Sequence, residues 1–302
     1  IPATICAGMT LPLITYYLIN GGYGEGAIGK IYAANTIGSI LGVIIGVHFI
    51  MPLLGVKNVV AIGGGIDVLL GVALLWYVQK TWSRDSQTVQ TARKVRLRWA
   101  IISTAFICIV LLSIFVIRLN PLKMASGVSR SGMAVSDGNI LFHQDGKTAS
   151  IDIIKYTAID TLSIATNGKS DAAISYSGEP RPDELTMALA AAIPMAFHEH
   201  ARTAANIGLG SGLTTHVLLS NPNLQVVDTV EIEPAVVEGA KAFGNRVERV
   251  YKDPRSHIHI EDAKTFFYNR KEKYDLIVSE PSNPWVSGVA GLFSNEFYSM
   301  IR

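Results

Sequence analysis

The stretch of this chain best suited to chemistry is Ile207-Gly208-Leu209-Gly210-Ser211-Gly212. Three glycines at alternate positions let a turn take left-handed angles and bring backbone N–H groups against a ligand. Nineteen positions after Gly212 stands Glu231. A carboxylate there can accept from both hydroxyls of a ribose, each charge-assisted hydrogen bond contributing about 1.5–3 kcal/mol. Glu261-Asp262-Ala263 comes next, where an Asp can meet the amino group of an adenine. The order of glycine loop, acid and Asp suits a dinucleotide or S-adenosylmethionine. Because the spacing is Gly-x-Gly-x-Gly and not Gly-x-Gly-x-x-Gly, the third glycine is misplaced for the helix contact that a dinucleotide site needs.

These residues must be carried by an alternation of strand and helix. Short apolar runs predict strands at 204–207, 225–231, 257–260 and 274–279, with helices between them, which makes a parallel sheet with right-handed crossovers. The glycine loop then closes the first of these strands, Glu231 ends the second, Asp262 follows the third and Glu280 follows the fourth. Ahead of them an Ala-rich helix is expected over 184–197. Residues 132–176 alternate in the manner of antiparallel strands, punctuated by Asp137-Gly138, Asp145-Gly146 and Asn167-Gly168. The chain stops at Arg302 inside a further helix, so the parallel sheet is expected to be C-terminally truncated.

The first 119 residues are of another kind. The 302-residue chain is 49% hydrophobic and only 17% charged, where soluble proteins carry about 25% charge; its mean hydropathy is +0.32. Disorder is excluded, and a net charge of +2 without a basic patch gives no sign of nucleic acid. Cys6 and Cys108 both lie in apolar runs and imply no disulfide framework. Apolar stretches at 1–19, 31–54, 59–78 and 99–119 are each long enough for a membrane-spanning helix. Trp76, Tyr77, Trp82 and Trp99 lie near their ends, as interfacial aromatics do. Gly38, Gly42 and Gly46 form a smooth stripe for helix packing. Asp67 stands mid-span and is expected to face a bundle interior, because a carboxylate in lipid is costly. Lys80, Arg84, Arg93, Lys94, Arg96 and Arg98 crowd one loop, whereas Arg118, Lys123 and Arg130 follow the last span. That bias places the residues after 119 outside the cytoplasm, against the cytosolic donor argued from the site, and the sidedness stays open. The domains expected are membrane helices over 1–119, a linker and small β-domain over 120–180, and a nucleoside-binding transferase domain over 181–302. The chain opens at Ile1 within an apolar run and is expected to be a fragment.

GLGSG, VEIEPAVVEGAKAF, DPRSHIHIEDAKTFF and YDLIVSEPSNPWVSGVAGLFSNEFY resemble, in order and spacing, the spermidine/spermine synthase family of aminopropyltransferases. The likeness covers roughly 147–302. With YAANTIGSILG and MPLLG upstream, it is nearest the bacterial branch in which that domain follows membrane helices. The resemblance implies an α-helical transmembrane segment, a small antiparallel β-domain and a Rossmann-like sheet of the S-adenosylmethionine-methyltransferase type. It implies a site for S-adenosylmethionine or its decarboxylated form, as co-substrate and without a metal, built from Gly208, Gly210, Gly212, Glu231, Asp262 and Ala263. It also implies a place in the bacterial inner membrane.

Where the family has an Asp-Ser-Ser-Asp-Pro pattern carrying its base, this chain has Glu280-Pro281-Ser282-Asn283-Pro284. Glu280 is therefore the expected catalytic base, with Asn283 as a substrate contact. An Asp-Glu-Phe-Ser-Tyr-Gln-Glu-type segment is replaced by Asp183-Glu184-Leu185-Thr186-Met187-Ala188, leaving Asp183 and Glu184 to face the amine. The acceptor is thus expected to be an amine other than putrescine. Two alternatives share the nucleoside contacts: a methyltransferase using intact S-adenosylmethionine, and a nucleoside-sensing domain without catalysis on a transporter-like membrane region. The expected partners are a lipid bilayer and a small-molecule amine, with a homodimer as one assembly open to the chain. Elsewhere, Phe197-His198-Glu199-His200 is expected to be a solvated loop and not a metal site, and His257 and His259 to lie beside the sheet. Pro281, Pro284 and Gly288 suit a lid, and Trp285 suits either closing the pocket or packing under the loop.

Overall fold

The computed structural model describes residues 2–82, 89–116, 118–128, 132–135, 137–270, 272–280 and 288–302. It forms two compact units, 1–103 and 104–302, divided inside a helix.

The first unit holds α1 (Pro2–Asn20), α2 (Gly26–Ile45), α3 (Met51–Trp82) and the start of α4 (Val89–Phe115). Apolar side chains occupy every side of these helices, and of the unit's described residues only Ala27 is buried. Helices of that kind suit an apolar surrounding. The expected spans at 31–54 and 59–78 are not separated by a loop. A wide π-helical turn, Gly46–Ile50, leads α2 directly into α3, and Pro52, which has no N–H to donate, follows it in the first turn of α3. Gly26–Leu74 is the one run among the described residues that is long and apolar enough to cross a membrane. Unbroken, it would measure about 74 Å against about 30 Å of hydrocarbon. The backbone leaves helical geometry at Gly55 (φ 79°, ψ 162°), between the two expected spans. Ile5–Asn20 and Ala100–Phe115 are apolar helices of shorter length.

Two expectations for this unit change. Asp67 is exposed on α3 instead of facing an interior, because four sparsely packed helices enclose almost nothing. A Cβ added at Gly38, Gly42 or Gly46 would meet nothing within 4 Å, so the glycine stripe lies open. Trp76 and Tyr77 are exposed, whereas the side chains of Trp82 and Trp99 lie outside the described residues.

The second unit contains two four-stranded sheets. A short helix, α5 (Pro121–Met124), is capped by Asn120 Oδ1 accepting from Lys123 N at 3.2 Å. The antiparallel sheet follows: β1 (Asn139–Asp145), β2 (Ser150–Tyr156), β3 (Thr161–Thr166) and β4 (Lys169–Ser175), in that spatial order. Asn167 and Gly168, both at positive φ, make the two-residue turn between β3 and β4. Asp137-Gly138 instead leads into β1 and joins no hairpin.

Next come α6 (Pro182–Phe197), β5 (Thr203–Ile207), α7 (Leu213–Leu218), β6 (Val226–Glu231), α8 (Pro234–Ala240), α9 (Arg249–Lys252), β7 (Ser256–Ile260), α10 (Ala263–Asn269), β8 (Leu276–Ser279) and α11 (Asn295–Ile301). The four strands are parallel in the order β7-β6-β5-β8. One core joins the sheets: Ile151, Ile153, Leu162 and Ile174 from the antiparallel strands pack with Met187, Leu213, Val236 and Phe243. A second cluster lies under α6 and α7, around Leu218, Val227 and Val278.

A candidate active site at the carboxyl edge of the parallel sheet

The strand order places β6 and β7 on one side of β5, and β8 on the other. The direction of winding therefore reverses at β5, and the crevice outside such a reversal is where open α/β sheets hold ligands. The loop that fills this position is Gly208–Gly212. All three glycines have positive φ (88°, 53° and 90°), a region closed to most side chains. Gly212 is also confined, because a Cβ there would stand 3.2 Å from Val250 Cγ2. Gly210 faces open space, with nothing within 4 Å.

The parallel ladder holds the strand tips together. Gly208 N donates to Val230 O at 2.9 Å and Glu280 N to Ile207 O at 3.3 Å, so the β5 tip lies between the tips of β6 and β8. Glu231 is only 8% exposed. Its Oε2 accepts from Leu209 N and its Oε1 from Glu233 N, both at 2.9 Å. Burial pushes this carboxyl up, and the backbone donors pull against that rise. The side chain expected to serve a ribose thus also ties down the glycine loop. Each of its oxygens keeps a second lone pair for that contact.

Asp262 is exposed and caps α10, its Oδ1 accepting from Thr265 N at 3.0 Å and Thr265 Oγ1 at 3.2 Å. Ala263 is buried in the first turn of that helix. Both follow β7, which two strands separate from β8 and Glu280, so the expected nucleoside contacts share one edge in the order Asp262, Glu231, glycine loop.

Glu280, on the far side of the loop, is half-buried, and its Oε2 accepts from Thr214 Oγ1 at 2.8 Å. Burial raises its carboxyl above the ordinary range, the Thr214 hydrogen bond opposes this, and the charge of Asp183 raises it further. Asp183, exposed in the first turn of α6, is therefore close enough for its charge to act on Glu280. Glu184 has a different task. It is 5% exposed, pairs with the Arg246 guanidinium, and accepts from Ser175 N at 3.0 Å and Arg181 N at 3.4 Å. It anchors α6 and is not available to an amine. Asn283, Pro281, Pro284 and Trp285 lie outside the described residues; Gly288, of the same expected lid, has a φ of 86°.

The sequence reading passed over several residues here. Thr214 carries only a hydroxyl and follows the glycine motif with no signature of its own. Ile232, 51% exposed directly after Glu231, presents an apolar surface at the same edge; an apolar residue beyond a strand-ending acid is a signal that was readable. Asn206, 1% exposed in β5, donates to Gly208 O at 2.9 Å and Thr215 Oγ1 at 3.0 Å. Away from this edge, His257 and His259 both approach Asp228 Oδ1, at 3.3 and 2.9 Å, and Tyr274 donates to its Oδ2 at 2.6 Å. Phe197 is exposed at the end of α6. Among the described residues no group of three His, Cys, Asp or Glu side chains is placed to hold a metal ion.

Residues 186–302 match the family model described as the spermine/spermidine synthase domain. This part of the chain is similar to that family. Curated relatives agree in kind. The polyamine aminopropyltransferase of Alkaliphilus oremlandii (strain OhILAs) is 35% identical over 106 residues, 35% of this chain and 37% of that one. That of Nitrosomonas europaea is 31% identical over 111 residues, 36% of this chain and 34% of the relative. The chain thus spans little more than a third of the length of these relatives. Among solved structures, spermidine synthase in complex with the transition state analogue AdoDATO is 22% identical with a TM-score of 0.46, over 53% of each chain. Spermidine synthase from Thermotoga maritima gives 22% and 0.45, over 53% of this chain and 52% of that one.

Proposed function

We propose that this chain is a membrane-anchored transferase that binds decarboxylated S-adenosylmethionine and passes its aminopropyl group to an amine. The observation that carries the reading is the placement of the glycine loop between two acids with different surroundings. Glu231 is buried and bonded to loop amides, which suits a ribose. Glu280 is half-buried, and burial raises its carboxyl above the ordinary range, which suits proton transfer. The open space beside Gly210 and the exposed Ile232 offer a nucleoside backbone contact and an apolar surface. The sulfonium of the donor supplies an electrophilic carbon and a neutral thioether leaving group.

This chain's residues would then serve the acceptor. An alkylammonium of pKa near 10.4 costs about 4.6 kcal/mol to deprotonate at neutral pH. Asp183 attracts that cation, and Glu280 takes the proton that the nitrogen releases as its bond to carbon forms. The extra methylene of Glu280 relative to Asp sets the carboxylate about 1.5 Å further into the crevice, enough to change which amine fits. Anchoring rests on the Gly26–Leu74 run; in membrane preparations the full chain is expected to resist alkaline carbonate extraction, and release into the supernatant would remove the anchor from the reading.

Titration calorimetry of the full chain with decarboxylated and intact S-adenosylmethionine tests the rest. The decarboxylated donor should bind more tightly, Glu231→Gln should weaken it at least tenfold, and Glu280→Gln should bind it normally without turnover on linear diamines of three to five carbons. Tighter binding of the intact donor with methyl transfer would establish a methyltransferase instead. Binding without turnover on any amine would establish a sensing domain.

A further inference from the structure

The hydroxyl of Thr214 has two acceptors and one hydrogen. Oε2 of Glu280 stands at 2.8 Å from its oxygen, and the backbone oxygen of Met187 in α6 at 3.3 Å. Thr214 is itself 2% exposed and Met187 5%, so water does not compete for this hydrogen. The hydroxyl sits in the first turn of α7, directly after the glycine loop, which fixes its backbone independently of Glu280. With Glu280 ionised, the shorter contact is charge-assisted and takes the hydrogen. Oε2 then has one lone pair engaged, and Oε1, which has no hydrogen bond from Thr214, is the better acceptor for an incoming donor.

We propose that Thr214 is the positioning residue of the base: it holds Oε2 of Glu280 so that Oε1 receives the proton, and its hydrogen passes to Met187 O once the carboxyl is neutral. This rests on the transferase reading for Glu280. The proton balance closes without a further reactant. The amine nitrogen forms its bond to carbon as the carbon–sulfur bond breaks, its N–H proton moves to Oε1, and the hydroxyl hydrogen only rotates. Among the described residues Asp183 on α6 is the charged group acting on Glu280; it raises the carboxyl, whereas Thr214 favours its ionised form.

The test compares Thr214→Val, of equal shape without a hydroxyl, with Thr214→Ser, which restores it. In the full chain carrying 13C-labelled glutamate, the Glu280 carboxyl is identified by its loss in Glu280→Gln and titrated by NMR. Thr214→Val should move that titration to higher pH, and Thr214→Ser should return it. In turnover with decarboxylated S-adenosylmethionine and linear diamines, Thr214→Val should lower kcat about tenfold or more with KM for the donor unchanged. The acid limb of its rate profile should rise with the Glu280 titration. An unmoved Glu280 titration in a Thr214→Val protein that still binds the donor would overturn the proposal. Absence of turnover in the unaltered chain would instead refute the transferase reading, while the titration would still decide the role of Thr214.

Discussion

Glu280 feels two opposed influences from its neighbours, and each can be removed separately. Burial and the charge of Asp183 raise its carboxyl, and the Thr214 hydroxyl lowers it. A base must be ionised to accept a proton, so the rate is expected to fall as pH drops through the Glu280 value. Asp183→Asn removes a negative charge, favours the ionised form, and should shift this acid limb to lower pH in a pH–rate profile. The same linkage has a stability side. A carboxyl raised on folding contributes stability that is complete below its unfolded value and is lost as pH rises through the folded one. Glu280→Gln should therefore melt higher than the unaltered chain at neutral pH and equally at acid pH, in thermal scans. The glycines make a second comparison. Gly212→Ala meets both a φ of 90° and Val250 at 3.2 Å, whereas Gly210→Ala meets only a φ of 53° in open space. Gly210→Ala should cost roughly 1–2 kcal/mol and Gly212→Ala more, read as denaturation midpoints.

Between elements, the contact that most directly ties the antiparallel sheet to the nucleoside edge is made by Glu233. It is buried two residues beyond Glu231, and its Oε2 accepts from Thr148 N and Thr148 Oγ1, both at 2.8 Å. Its Oε1 accepts from Ala235 N at 3.2 Å, capping α8. The β1–β2 turn is thus seated on the loop that follows β6. Gly146 in that turn leaves no room for a side chain, since a Cβ there would fall 2.1 Å from Glu233 Oε1. Glu233→Ala strands three donors and should cost on the order of 3 kcal/mol. Amide hydrogen exchange at Thr148 should then accelerate well beyond that of the β3 amides; equal protection in both proteins would show that the turn is held by other contacts.

On the scale of the whole molecule, the two sheets of the second unit share one core. A boundary near residue 180 cuts between Ile151 or Ile174 on one side and Met187, Leu213 or Phe243 on the other, all of them buried. A chain beginning at residue 181 would bare that surface. It should expose apolar area to a hydrophobic dye and lack a cooperative melt, whereas one beginning at residue 120 should unfold in a single transition. The helices of the first unit show the opposite pattern, with apolar residues outward on all sides and almost nothing buried. Such a surface is stable only when something apolar covers it.

Periodicity, glycine spacing and acids at strand ends are local properties, and they were enough to place four parallel strands and the glycine loop within a residue or two. They also located the Asn167-Gly168 turn, because positive φ is a demand on residue type. What a side chain does was not local. Glu231 and Glu184 look alike in sequence as acids beside a nucleoside motif, yet one holds the glycine loop and the other pairs with Arg246, more than sixty residues away. Thr214 acquired its place because β8 returns beside β5, and Asp67 lost its expected interior because four helices enclosed too little to supply one. Strand order, burial and the pairing of charges come from chain segments meeting across the fold, and only the tertiary structure decides which segments meet.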